Sequence, residues 1–121
     1  MATTSSDAGW AVVEFERARE EYPIRAFLAS LEGRNANETA ALLAQLAARG
    51  NTLREPRSAP VDRNLFELRG HQVRIFYCFL PGRMIVLLDG TIKKQNKIAR
   101  DVLDRMRGYR REVERRGPRV P

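Results

Sequence analysis

One arginine stands inside an otherwise apolar run. In the segment VRIFYCFL, residues 73–80, Arg74 is the only charged side chain. Strand alternation puts Val73, Ile75, Tyr77 and Phe79 on one face and Arg74, Phe76 and Cys78 on the other. A guanidinium is costly to bury alone. Two readings are open: an ion pair with Glu67 on the neighbouring strand, or an anion site on an open patch of sheet. Further cations can converge on it. Arg69 closes the segment LFELR just before the turn, and Lys93 and Lys94 directly follow the run MIVLLDGTI. If strands 65–69 and 84–92 flank strand 73–80, these groups approach one another. On the second reading such a set would suit an anion, because ionised donors make the stronger hydrogen bonds.

The rest of the inventory excludes several chemistries. One histidine and one cysteine cannot build a Cys/His zinc site. The stretch DGTIKK holds a single glycine and lacks the context of a phosphate-cradling loop. A nuclease with paired acid–base histidines is ruled out, and no acidic cluster suggests two-metal chemistry. Catalysis, if there is any, rests on arginine, lysine or tyrosine, with no cofactor and no metal. His71 reads by itself as an exposed turn residue, Tyr77 as core, and Cys78 as a small buried hydrophobe. A lone cysteine forms no intramolecular disulfide, which fits a reducing cytoplasm.

The elements that must position these groups follow from periodicity. Trp10–Phe15 reads as a first strand. Pro23 opens a helix carrying Ile24, Phe27, Leu28 and Leu31 at helical spacing, and Gly33 stops it. Asn35 with Glu38 looks like a capping box for a second helix that ends at Gly50. Residues 51–63, with Pro56 and Pro60, read as a connecting loop. Three strands follow, 65–69, 73–80 and 84–92, joined by tight turns. A last helix from Asn96 carries Ile98, Val102, Met106, Tyr109 and Val113 on one face, and Gly117 with Pro118 ends it. The expected fold class is α+β: a small antiparallel sheet built from one strand and a three-strand meander, with two helices between them and a C-terminal helix. One domain over 10–116 is expected, after a disordered lead (1–9) and before a flexible tail (117–121).

Charge is unevenly placed along the 121 residues. Residues 1–92 carry eleven basic and eleven acidic side chains, whereas residues 93–121 carry eleven basic against four acidic, which accounts for the whole net charge of +7. Such asymmetry points to a polyanion, an acidic protein or a membrane surface. No apolar stretch, Met84–Leu88 included, is long enough to span a bilayer, and no membrane partner is expected. Arg100, Arg107, Arg110 and Arg111, opposite the apolar stripe, read as a solvated face.

The order of these pieces resembles the HigB branch of the RelE/ParE superfamily, phage-type toxins of type II toxin–antitoxin systems. The resemblance runs over residues 10–115. It is carried by WAVVEF at the start, PIRAFLASL, a Leu/Ala-rich second helix ending in glycine, LFELR, VRIFY and IVLLDGTIKKQNK, followed by a long basic helix. It implies a RelE-like microbial RNase fold and a metal-independent, ribosome-dependent endoribonuclease. In that reaction a ribose 2′-OH attacks the adjacent phosphate of mRNA in the decoding site, giving a 2′,3′-cyclic phosphate. By the same resemblance Arg74, Lys93 and Lys94 are catalytic, and Arg69 and Lys97 contact RNA; His71 and Arg100 are further RNA-contact candidates by position alone, without support from the family pattern. The implied partners are mRNA, the ribosome and a helix-turn-helix, HigA-like antitoxin. The pattern departs at Asp89, which replaces a histidine, and at Thr91, which replaces an aromatic residue; Asp89 or His71 would have to substitute for that histidine, and the general base is left unassigned. A non-catalytic RNA- or ribosome-binding module and a gyrase-poisoning ParE-type toxin are the alternatives.

Overall fold

The structure is a computed structural model that describes residues 3–5, 9–93 and 97–121. In chain order the elements are β1 (Thr3–Ser5), β2 (Ala11–Glu14), α1 (Pro23–Ala29), α2 (Gly33–Arg49), a 3-10 turn (Gly50–Thr52), β3 (Ser58–Asp62), β4 (Leu65–Arg69), β5 (Val73–Leu80), β6 (Met84–Ile92) and α3 (Arg100–Arg116). The fold is α+β, as the periodicity predicts. Six strands form one sheet in the order β1-β2-β6-β5-β4-β3.

The meander β4-β5-β6 has the strand bounds expected, and β5 lies between its two neighbours. Three features differ from expectation. β2 runs parallel to β6, so the sheet is mixed, because the intervening helices carry the chain across the sheet before β6 is laid down. Residues 58–62 form an edge strand on β4 instead of a loop. Pro60 hides it in the sequence, yet an edge strand tolerates a residue that cannot donate to a neighbour. Thr3–Ser5 pair antiparallel with β2, so those three residues of the expected disordered lead have sheet pairing.

Apolar side chains from the two faces of the sheet build two cores. Val73, Ile75 and Tyr77 of β5 pack with Ile24 of α1 and with Leu42 and Leu46 of α2. On the other face Phe76 and Cys78 pack with Met106 and Val113 of α3. Coverage on both faces explains why β5 is an almost continuous apolar run, with each fully buried large side chain contributing about 1.5–3 kcal/mol. Two glycines set close approaches. A Cβ at Gly90 of β6 would stand 2.3 Å from the Phe27 ring of α1, and one at Gly50 would stand 2.0 Å from the Trp10 ring.

The helices begin and end for partly different reasons from those read in sequence. Pro23 occupies the first turn of α1. The capping box at Asn35 does not form: α2 already starts at Gly33, and Glu38 accepts the backbone N–H of His71 at 2.7 Å instead. A tertiary contact to the β4–β5 turn has displaced a local cap. Helix α3 starts at Arg100, with Asp101 favourably placed in its first turn, and Gly117 ends it at φ +87°. The tail beyond is pinned where flexibility was expected. The Pro118 carbonyl accepts from Glu16 N, the Val120 N–H donates to Glu16, and Arg119 reaches the Tyr22 hydroxyl. The N–H groups of Glu20 and Val120 together hold the Glu16 carboxyl below its ordinary range.

Candidate anion site at the mouth of the central hairpin

Strand register places the predicted cations. Arg69 lies directly opposite Arg74 across β4 and β5, and Arg74 lies opposite Thr91 across β5 and β6. Side chains at opposed antiparallel positions share a face, with Cβ atoms about 5 Å apart. The alternation that puts Phe76 and Cys78 against α3 puts Arg74 on that same face. Two arginines thus leave the sheet from the same face at the end of the hairpin. Like charges in that position repel, so the pair creates a demand for negative charge.

Arg74 is 8% exposed and is held by backbone, not by a carboxylate. Its Nη1 donates to the Gly70 carbonyl at 2.7 Å and to the Val73 carbonyl at 3.0 Å. Its Nε and Nη2 bond to none of the described residues and are not sealed from solvent. Glu67, which the sequence offers as the partner of Arg74, pairs with Arg69 instead: Arg69 Nε donates to Glu67 Oε2 at 2.8 Å. Neither η-nitrogen of Arg69 has a hydrogen-bond partner among the described residues. The local balance is two positive charges and one negative, with N–H donors to spare. That arrangement is chemically suited to an anion.

Lys93 extends the site. It follows β6 on the Thr91 face, and its backbone N–H donates to the Gln72 carbonyl at 2.7 Å, which fixes the strand end beside the β4–β5 turn. A cleft of about 510 Å³ lies next to it, with Thr91, Lys93, Lys97 and Arg100 around an apolar floor that includes Ile92 and Ile98. Lys93 and Lys97 make no ion pair among the described residues, whereas Arg100 approaches Asp104 at 4.0 Å with its side chain almost wholly in solvent. Lys94 lies outside the described residues. His71 is exposed at the turn, where its backbone is tied to Glu38, and nothing draws its ring toward Arg74.

Asp89 is set apart from the arginine row. It stands opposite Phe76, one step deeper along the hairpin, and faces Arg105 of α3 at 3.5 Å. Burial pushes its carboxyl up, while the Gly90 N–H and Arg105 pull it back. Arg105 has no counterpart in the sequence reading, because the pairing depends on how α3 crosses the sheet. Burial also pushes the Cys78 thiol up to about 12, in keeping with its reading as an inert hydrophobe.

Of the four arginines read as a solvated face, Arg100 and Arg111 are exposed, whereas Arg107 and Arg110 are not. Arg110 is 6% exposed; its Nη1 donates to the Arg63 carbonyl at 2.6 Å and to Asp62 at 3.2 Å. Arg107 donates to Asp62 at 2.8 Å and to Asp104 at 2.9 Å. Arg63 grips Glu114 through both η-nitrogens. These pairs fasten α3 to the β3–β4 turn, which keeps it over the face that carries Arg74. Among the described residues no group of three or more His, Cys, Asp or Glu side chains could hold a metal ion, and no helix is long and apolar enough to cross a membrane.

Fold and site together define a small α+β domain with a cluster of cations, a candidate anion site, at the end of its central hairpin. The chain belongs to the family described as phage derived protein Gp49-like (DUF891), whose model matches residues 26–108, from within α1 to within α3, and so takes in every cation of the site. It is also similar to a chain in the crystal structure of the toxin–antitoxin complex RelBE2 from Mycobacterium tuberculosis, at 20% identity over 76% of this chain and all of that one, with a TM-score of 0.46. No curated protein matches the sequence.

Proposed function

We propose that this chain is a HigB-like toxin of a type II toxin–antitoxin module, acting in the cytoplasm as a ribosome-dependent mRNA endoribonuclease. The observation that carries the reading is the Arg69–Arg74 pair, two opposed guanidiniums with spare donors beside the Lys93 cleft. Membership of the Gp49-like family and the motif order from residue 10 to residue 115 support it.

Cleavage by 2′-OH attack builds negative charge on the phosphate oxygens and on the departing 5′-oxygen. Donors fixed before the reaction stabilise that charge without reorganising, each worth ~3 kcal/mol. Arg74, locked by two carbonyls, is such a donor. Arg69 and Lys93 flank it, with Lys94 adjoining in sequence, and Lys97, Arg100 and His71 contact the RNA on either side. In-line geometry comes from the ribosome, where positioning supplies roughly 7 kcal/mol or more. A helix-turn-helix, HigA-like antitoxin neutralises the toxin.

Primer extension on an mRNA, with and without ribosomes, tests the class. Codon-spaced cuts that need ribosomes, and that vanish with Lys93→Ala/Lys94→Ala, are the expected result. A message left intact by the wild-type protein overturns the reading in favour of a non-catalytic RNA-binding module.

A further inference from the structure

Glu67 is the unexplained group of the site. It is 5% exposed, its Oε2 accepts from Arg69 Nε, and its Oε1 is buried with no hydrogen-bond partner. Buried acceptors almost always have a donor, so an orphan in a native site calls for a reason. Its place in the register makes the reason specific. Glu67 lies opposite Phe76, two residues from Arg69, hence on the face shared by Arg69 and Arg74 and diagonal to Arg74. An anion bridging the two guanidiniums therefore sits beside the Glu67 carboxylate.

We infer that Glu67 is the proton acceptor of this site and takes the hydrogen of the ribose 2′-OH as that oxygen attacks phosphorus. The inference rests on the endoribonuclease reading above. Arg69 is 37% exposed and therefore free to turn. When a phosphate arrives, Arg69 swings from Glu67 to the phosphate oxygens, and the carboxylate is left facing the nucleotide with both oxygens unpaired. The 2′-O–H bond then breaks as its proton passes to Glu67, the 2′-O–P bond forms, and the P–O5′ bond breaks. The 5′-oxygen takes a proton from water, and the resulting hydroxide recovers the proton held by Glu67, so the cycle closes without metal or cofactor. Among the described residues, the other charged groups on this face include Arg74 on β5, Asp89 on β6 beyond Phe76, Lys93 after β6, and Arg105 and Arg110 of α3, of which Arg105 pairs with Asp89 and Arg110 with Asp62.

The test is Glu67→Gln, which keeps the shape and can still accept from Arg69, compared with wild type in the ribosome cleavage reaction across a pH series. Single-turnover rates are expected to fall ~10²–10⁴-fold, the usual contribution of a positioned base. Any acidic limb of the wild-type pH–rate profile is expected to disappear. Binding of the message–ribosome complex and the thermal midpoint are expected to change little. Unchanged cleavage by Glu67→Gln overturns the inference alone. So does a loss confined to binding with the pH profile kept, which assigns Glu67 a purely positioning role toward Arg69. Absence of cleavage by wild type overturns the endoribonuclease reading itself, and the base role with it. If Glu67→Gln does not fold, Glu67→Asp serves: a base drawn back by one methylene slows the reaction and keeps the acidic limb, whereas an undiminished rate overturns the inference.

Discussion

Replacing Arg74 by alanine separates architecture from chemistry. The side chain gives Nη1 to two carbonyls, Gly70 at 2.7 Å and Val73 at 3.0 Å. Hydrogen bonds from a charged donor are worth ~1.5–3 kcal/mol each. Gly70 is only partly buried, so water can replace the lost donor there, and the repulsion from Arg69 disappears as well. The net loss of stability is therefore about 2 kcal/mol, which for a chain of this length lowers Tm by roughly 6–10 °C. The chemical loss is larger: one fixed donor to the developing charge is worth ~3 kcal/mol, or about 10²–10³-fold in rate. Thermal melts, growth after induced expression and the ribosome cleavage reaction are measured side by side. A cooperative melt with growth arrest abolished is the expected outcome. A folded variant that still arrests growth refutes the phosphate-stabilising role. The double variant with Arg69→Ala adds a second constraint, since two guanidiniums serving one phosphate must be non-additive. Multiplicative losses would show that they serve different groups.

Two further outcomes concern the frame around the site. Gly50→Ala forces a side chain onto a backbone at φ +52° and into the Trp10 ring, so the urea midpoint is expected to fall by the equivalent of about 1–3 kcal/mol; an unchanged midpoint contradicts the packing described. Acid should loosen α3. The Asp62 carboxyl is held at about 2 by the Arg63 N–H, then by Arg107 and Arg110, and that of Glu114 at about 2 by Arg63, then by Asn64. Both lie below their ordinary values of 3.8 and 4.5, so the stabilisation is complete above those values and is lost as pH falls through about 2. Asp62→Asn should flatten that limb of a stability–pH curve, and an unaltered limb refutes the assignment.

What could be read in the sequence, and what could not, follows from the range of the forces involved. The bounds of β4, β5 and β6 are written in apolar runs and turn residues a few positions apart, and the convergence of Arg69 with Arg74 follows from pairing adjacent strands. The β3 edge strand was hidden by Pro60, whose cost depends on having no neighbour on one side. The role of Glu38 was misread because its partner, the His71 N–H, lies 33 residues away. Glu67 was recognised as an ion-pair partner but given the wrong arginine. Spacing allows either pairing, and only the Arg74 side chain turning toward Gly70 and Val73 decides between them.

The basic C-terminal third shows why a charge count is a poor guide to free cations. Its excess points to a polyanion, an acidic protein or a membrane surface, with the arginines opposite the apolar stripe read as a solvated face. Most of the α3 arginines are spent inside the molecule: Arg105 faces Asp89, Arg107 and Arg110 hold Asp62, and Arg115 and Arg116 hold Glu112. A guanidinium with its carboxylate already bound offers little field to an incoming phosphate. Along the described path from the hairpin mouth to the start of α3, what stays available is the spare donors of Arg69 and Arg74, followed by Lys93 and Lys97. The helix therefore serves the site mainly by being fastened down: its ion pairs hold it against the sheet and leave the cations at the strand ends uncommitted.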